Sequence, residues 1–267
     1  MQRQFQFYIV PTPIGNLSDM TFRAVEILKS VDMIYCEDTR VTQKILHRYD
    51  IHTKLTSYHK YNEKQNLDKI LMFLQSGKTA ALVSDAGTPM ICDPGSVLIK
   101  LLRKNNISIT ALSGACAIST FLSQIPRESE IYTFVGFFPK TSGKAKELLL
   151  QFSNSDMVFY ESPNRITDTL KFIREIRGNT EIALGRELTK LYEEVIIGEI
   201  DNVLDFLGDE IRGEIICMIY KKEEPSKIDI DAKILLLKDS GYKSKDISLI
   251  LSTLYGLNKN EIYKRII

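Results

Sequence analysis

Short apolar runs alternate with helix-like periods throughout the first half of the chain, and this alternation constrains the fold more than any other feature. FYIV (7–10), DMIYC (32–36), the weaker LTSYH (55–59), TAALVS (79–84) and ISITAL (107–112) read as strands. Between them the spacing predicts helices. One is capped by Ser18 or Asp19 and carries Phe22, Val25, Leu28 and Val31 at three- and four-residue intervals. A short one runs near Thr42 to Tyr49. A third is capped by Asn62, carries Leu67, Ile70, Leu71 and Leu74, and stops at Gly77. Two more are expected over 94–104 and 116–124. TAALV is uninterrupted in its apolar character, as a parallel strand covered on both faces must be. Strand and helix in strict turn imply a parallel sheet with right-handed crossovers.

The second half follows a different rhythm. Strands are predicted at 131–138, 157–162, 180–188, 193–200 and 213–220, with helices near 143–153, 163–177 and 202–208. The later strands follow one another closely, so this sheet is expected to be mixed. These patterns divide the chain into an αβα domain over 1–122, a second over 123–223 and a helical tail module over 224–267. The polar stretch KKEEPSKID (221–229) serves as linker, and the tail breaks at Gly241 and Gly256.

Composition narrows the class of function. The chain has 267 residues, 44% of them apolar and 26% charged, with a formal net charge of +1. It is a globular protein and not a purely electrostatic nucleic-acid binder, although a local basic patch is compatible with that total. No apolar run approaches the roughly 20 residues of a membrane span. The opening MQRQFQFYIVPTP lacks the features of a secretion signal and reads as a few exposed residues followed by a buried strand. Cys36, Cys92, Cys116 and Cys217 are scattered without a CxxC pair, and the histidines are only His47, His52 and His59. Neither a metal site nor a disulfide framework is expected; reduced thiols in a cytoplasm are.

Chemistry is expected at the carboxyl ends of the strands, where open α/β sheets bind ligands. Three loops of small and turn-forming residues lie there: Pro11-Thr12-Pro13-Ile14-Gly15-Asn16, Ser84-Asp85-Ala86-Gly87-Thr88-Pro89 and Ser113-Gly114-Ala115-Cys116-Ala117. Taken singly, each is as well explained by an ordinary turn or by tight packing. None is a GxGxxG or Walker loop, so dinucleotide binding and nucleotide hydrolysis are not indicated. Polar clusters occupy other strand ends: Glu37-Asp38-Thr39-Arg40, Tyr160 to Arg165, and Gly185 to Lys190. Ser162 followed by Pro163 also makes a good helix start in its own right.

The segments YIVPTPIGNLSD (8–19), CEDTR (36–40), ALVSDAGTPMICDPG (81–95), FVGFFP (134–139), FYES (159–162) and GRELTK (185–190) occur in this order. Together they resemble the tetrapyrrole-methylase superfamily of S-adenosylmethionine-dependent methyltransferases, and more narrowly its branch that acts on small-subunit ribosomal RNA. The likeness spans about residues 5–220, and the combination of PTPIGN, EDTR and SDAGTP is specific. The resemblance implies two αβα domains with the cofactor in the cleft between them, and usually a homodimer. It implies 2′-O-methylation of a cytidine ribose in the decoding region of 16S rRNA in the small ribosomal subunit. It assigns cofactor contacts to Pro11, Gly15, Asp85, Ala86, Gly87, Thr88, Pro89, Gly114, Ala115, Cys116, Ala117 and Tyr160. The chain departs from many relatives at Ser113 and Ala115, where they carry proline, so the rigidity of that loop does not carry over.

Methyl transfer to a weakly acidic hydroxyl needs positioning and a general base. Glu161 and Asp38 are the candidates for the base, and Arg40, Arg165 and Arg186 for holding RNA phosphates, by their place at strand ends. Residues 233–267 carry seven basic against three acidic side chains. Lys243, Lys245 and Lys259, with Tyr242 and Tyr255, form either a phosphate-binding face or an ordinary solvated one. Two other readings stand beside the rRNA methylase. A tetrapyrrole methylase would show a broad apolar site with carboxylate-binding arginines, and a non-catalytic sensor would bind the cofactor without turnover.

Overall fold

The computed structural model describes residues 5–208, 211–221 and 230–267. Residues up to 221 form one unit and residues from 222 a second. The expected linker, apart from Lys221, and the expected 223/224 boundary fall on 222–229, outside the described residues; so do residues 1–4 of the expected exposed start.

The first sheet is built from β1 (Phe7–Ile9), β2 (Met33–Cys36), β3 (Leu55–Ser57), β4 (Ala80–Val83) and β5 (Ile109–Ala111), joined by α1 (Phe22–Ser30), α2 (Thr39–Arg48), α3 (Glu63–Gln75) and α4 (Ser96–Lys104). Its order is β3-β2-β4-β1-β5, and every pairing is parallel, as the alternation predicts. The two-residue period of a strand sends alternate side chains to opposite faces. Tyr8, Val10, Ala81 and Val83 meet Leu28 of α1 and Leu46 of α2, whereas Phe7, Ile9, Ala80 and Leu82 meet Leu74 of α3 and Leu102 of α4.

α1 departs from expectation. Its cap is Thr21, whose hydroxyl accepts the Ala24 N–H, and Ser18 and Asp19 lie in a preceding 3-10 turn. The helix therefore starts later and turns Ala24 and Leu28 inward, leaving Phe22 at its first position 93% exposed. Asn62 begins α3 as expected, but its side chain accepts the N–H of His59 rather than one from the helix.

The chain then forms α5 (Ala117–Leu122), β6 (Tyr132–Phe137), α6 (Ser142–Gln151), β7 (Asp156–Glu161), α7 (Pro163–Arg177), β8 (Glu181–Arg186), β9 (Glu194–Glu199), α8 (Ile200–Leu207) and β10 (Ile215–Ile219). The second sheet runs β6-β7-β10-β8-β9. Only β6 and β7 pair in parallel, so the sheet is mixed. One face packs on α6, α7 and α8 through Leu149, Leu170 and Val203. The other face, carrying Val158, Ala183, Ile216 and Met218, packs on Ile118, Phe121 and Leu122 of α5.

The tail unit comprises α9 (Ile230–Asp239), α10 (Ser244–Tyr255) and α11 (Lys259–Ile266) around Ile234, Ile247, Leu251, Ile262 and Ile266. Gly241 and Gly256 sit at the two breaks with positive φ, a conformation that glycine adopts without the steric cost of a side chain. No helix among the described residues is long and apolar enough to cross a membrane.

Candidate active site

A backbone clamp builds the site. The loop after β1 and the loop after β4 exchange two hydrogen bonds: the Thr12 N–H donates to the Gly87 carbonyl and the Gly87 N–H to that of Thr12, both at 2.9 Å. The Thr12 hydroxyl donates to the Ser84 carbonyl (3.0 Å), and Ser84 Oγ donates to the Gly87 carbonyl (3.0 Å). Thr88 Oγ1 donates to the Ala115 carbonyl (2.9 Å), which ties in the loop after β5. The three loops singled out in the sequence thus form one hydrogen-bonded assembly. Gly114 lies so close to Pro11 that an added Cβ would stand 2.6 Å from the proline's own.

A fourth and a fifth segment close around it. The Asp38 N–H donates to Asp85 Oδ1 (3.0 Å), joining the EDTR turn to the loop after β4. The loop after β8 meets Gly15, where an added Cβ would fall 2.5 Å from Lys190 Cγ and 2.7 Å from the Leu188 carbonyl. Lys190 Nζ bridges Glu187 Oε1 (2.7 Å) and Glu214 Oε2 (2.8 Å), which binds this loop to the start of β10. Met90, Glu187 and Thr189 have positive φ, and all three lie in these loops. Such strained backbone persists only where the surroundings hold it and gathers at functional sites.

The assembly encloses a cleft of about 440 Å³, within the roughly 300–1,000 Å³ usual for small-molecule sites. Asp85, Ala86, Gly87 and Thr88 line one side, with Cys116 and Ala117; Tyr160 and Glu161 line another. Pro11, Gly15, Pro89, Gly114 and Ala115 do not line it. Pro11, Gly15, Gly114, Ala115 and Asp38 instead pack against or clamp the loops that do. Ile14, Ile91, Cys92, Asp93, Phe137 and Leu188 also line the cleft and lie inside the distinctive segments without being among the expected site residues, whereas Gly213 to Ile216 are expected only as strand.

The charge of the lining is one-sided. Asp85, Asp93, Glu161 and Glu214 line the cleft, and no lysine, arginine or histidine is among the lining residues described. Burial, with Glu37 and Asp85 nearby, pushes the Asp93 carboxyl up to about 6. Glu37 is raised by burial and by Asp85, opposed by His59. Burial raises the Tyr160 hydroxyl well above its ordinary value, so it stays protonated.

The two candidate bases are already engaged. Glu161 Oε1 accepts the Ser162 N–H (2.7 Å) and Arg165 Nη1 (3.1 Å), and Oε2 accepts the Thr169 hydroxyl (2.8 Å). This carboxylate, rather than the Ser162 side chain, ties down the start of α7. Asp38 accepts the Arg40 N–H as the cap of α2 and grips its guanidinium (2.6 and 3.1 Å), which holds its carboxyl down at about 2. Arg165 also donates to the carbonyls of Phe138 (3.4 Å) and Pro139 (3.1 Å). Arg186 pairs with Glu194 across β8 and β9. In the tail unit Lys243, Lys245 and Lys259 are exposed near the starts of α10 and α11; Tyr242 is exposed and Tyr255 packs on the tail core.

Comparison with known proteins agrees with this geometry. The family model for Tetrapyrrole (Corrin/Porphyrin) Methylases matches residues 6–204. The chain is 44% identical over 225 residues to Ribosomal RNA small subunit methyltransferase I of Bacillus subtilis (strain 168), covering 83% of this chain and 77% of that protein. It is 37% identical over 267 residues to the protein of the same name from Streptococcus pyogenes serotype M1, covering 97% and 93%. Among solved structures, uroporphyrin-III-C-methyltransferase from Thermus thermophilus superposes with a TM-score of 0.59 at 16% identity, over 82% of this chain and 95% of that one. Diphthine synthase gives 0.63 at 10%, over 81% and 90%. Family match and sequence relatives point the same way, and the chain belongs to the tetrapyrrole methylase family.

Proposed function

We propose that this chain is an S-adenosylmethionine-dependent methyltransferase that methylates the ribose 2′-hydroxyl of a cytidine in the decoding region of 16S rRNA, acting on the small ribosomal subunit in the cytoplasm. The observation that carries the reading is the cleft, lined by four carboxylates, by small residues and by apolar side chains such as Ile14, Ile91, Phe137 and Leu188, and, among those described, by no basic side chain. Arg165 pairs with Glu161 and Lys190 with Glu214, so Asp85 and Asp93 are the lining carboxylates outside any ion pair among the described residues; they suit a nucleoside that carries positive charge and no phosphate, and would repel a nucleoside triphosphate. The same lining disfavours a tetrapyrrole, whose carboxylates call for arginines. The names of the sequence relatives supply the substrate class. The homodimer that the family resemblance implies is proposed here too, to be tested by light scattering.

Ala86, Gly87, Cys116 and Ala117 let backbone approach the ligand, Asp85 offers acceptors to its hydroxyl or ammonium groups, and Tyr160 closes one side. When bound, S-adenosylmethionine supplies a methyl group on a positively charged sulfur that leaves as a neutral thioether. The protein's task is then orientation, which can contribute roughly 7–11 kcal/mol. The hydroxyl proton passes to a carboxylate as the new C–O bond forms. Glu161 and Asp38 are the sequence candidates for this step, but their oxygens hold other partners. Asp93 lines the cleft with Ser84 beside it, and burial raises its carboxyl to about 6, which makes it a stronger base than an ordinary carboxylate. We therefore assign it the role of base.

The test incubates purified protein with methyl-labelled S-adenosylmethionine and small subunits from a strain lacking the modification, followed by nuclease digestion and mass spectrometry. A labelled 2′-O-methylcytidine in the decoding region supports the reading. Cofactor binding without label in rRNA overturns it in favour of a small-molecule methylase or a sensor.

A further inference from the structure

The acidic cleft leaves one need unmet, because an RNA strand brings phosphates that its carboxylates repel. β6 answers it. Its pairing with β7 runs in step from Tyr132 opposite Asp156 to Phe134 opposite Val158, then shifts by one residue so that Phe137 stands opposite Tyr160. Gly136, at φ +72°, provides the irregularity. The shift breaks the alternation of the strand: Phe138 turns into the core beside Phe159, whereas Phe137 turns to the rim of the cleft and remains 63% exposed. Its ring lies 5.6 Å from that of Tyr160, tilted by 57°, with its outer face open. Arg165, itself held by Glu161, donates to the next two carbonyls, so the ring is presented by a braced loop.

Three of the nine residues that follow are lysines. Lys140, Lys144 and Lys146 are all exposed, no acidic residue lies between Phe137 and Lys146, and among the described residues none of the three lysines is in an ion pair. An open aromatic ring at the edge of a cleft, followed within ten residues by three lysines outside any ion pair, offers the two kinds of group by which proteins hold a splayed-out nucleotide. The ring stacks on a base, and the cations take the flanking phosphates.

We propose that Phe137 is the stacking platform for an unstacked base of the RNA substrate, and that Lys140, Lys144 and Lys146 hold the adjacent phosphates. This rests on the reading of the substrate as ribosomal RNA. The lip differs from the interior of the cleft in charge as well as in place: base and phosphates are held at the rim, while the acidic interior is kept for the cationic ligand.

The experiment measures three quantities for the full-length protein and for its Phe137→Ala, Phe137→Trp and Lys140→Ala/Lys144→Ala/Lys146→Ala variants. These are S-adenosylmethionine affinity, affinity for unmodified small subunits as a function of salt, and the split between KM and kcat. Phe137→Ala should weaken subunit binding by about 5- to 150-fold, the range of one stacked base. Because Phe137 also lines the cleft, cofactor affinity should fall by much less than subunit affinity, and Phe137→Trp should restore subunit binding. The triple lysine variant should lower the slope of log affinity against log salt by about two to three, about 0.7–0.9 for each phosphate no longer neutralised. If Phe137→Ala instead weakens cofactor binding and spares subunit binding, the ring belongs to the cofactor and the proposal is overturned. Unchanged subunit binding and salt slope overturn it as well. Wild-type protein that binds the cofactor but neither binds nor labels subunits defeats the rRNA reading itself, an outcome visible before any variant is compared.

Discussion

Glu161→Ala is the substitution whose consequence the structure defines most closely. The carboxylate is buried, its side chain 1% exposed, and it accepts from the Ser162 amide, the Arg165 guanidinium and the Thr169 hydroxyl. Truncation leaves the amide and the hydroxyl without an acceptor, at about 1–3 kcal/mol each. Arg165 keeps the carbonyls of Phe138 and Pro139 and is one-third exposed, so solvent recovers part of its share. The expected loss is about 3–5 kcal/mol, the range for breaking a buried pair from one side. In urea unfolding, with a slope near 3 kcal/mol/M for a chain of this size, that corresponds to a midpoint lowered by about 1–1.7 M. Glu161→Gln keeps an acceptor and should lose about half as much. Because proton transfer is assigned to Asp93, the Gln variant should retain kcat within a few-fold. A midpoint shift under about 0.3 M for Glu161→Ala would show that water replaces the carboxylate and would refute the account of α7 docking. A kcat collapse in a stable Gln variant would restore Glu161 as the base.

Asp93→Asn should stabilise the protein at pH 8 relative to wild type. The folded-state value of about 6 lies above the ordinary 3.8, so ionisation costs the wild type stability as pH rises through that window. The advantage should shrink as pH falls toward 4, which urea midpoints at pH 4.5 and 8 would reveal. The same variant should lose most methyl transfer with cofactor affinity retained, read by single-turnover kinetics. Gly114→Ala drives a Cβ to 2.6 Å from that of Pro11, whose ring cannot yield. It should cost about 1–3 kcal/mol and loosen cofactor binding at least tenfold, by calorimetry. Removing residues 226–267 should weaken subunit binding through Lys243, Lys245 and Lys259 and leave cofactor affinity unchanged; equal subunit binding would exclude the tail from recognition.

The parallel sheet is legible in the sequence because strands buried on both faces cannot hide their character: AALV is buried at every position. The start of α1 is not, because an exposed Phe22 imitates the apolar period that Ala24 and Leu28 carry. The loops after β1, β4 and β5 announce themselves through proline, glycine and small residues, but sequence cannot separate wall from buttress. Pro11 and Gly15 are as distinctive as Gly87, yet they pack against the loops that line the cleft. Asp93 lies inside a distinctive segment without standing out, since burial in the folded chain, with Glu37 and Asp85 nearby, gives it its character. The start of β10 is invisible as part of the site because it joins the cleft only after the sheet has formed. Phe137 is hidden for a related reason, since a regular strand ending FVGFF gives no sign of which phenylalanine the bulge will expose.

α5 is six residues long and continues directly from the loop that supplies Cys116 and Ala117 to the cleft, while its apolar side belongs to the core of the second sheet. The loop is thus coupled at one end to the first sheet through Thr88 and at the other to the second. A ligand seated against it acts as mortar between two halves and reaches far beyond its own contacts. Saturating ligand, at a hundredfold excess over Kd, would add about 2.7 kcal/mol to the resistance of both halves to unfolding. Amide exchange in β9, none of whose residues lines the cleft, should slow along with that of the loops themselves.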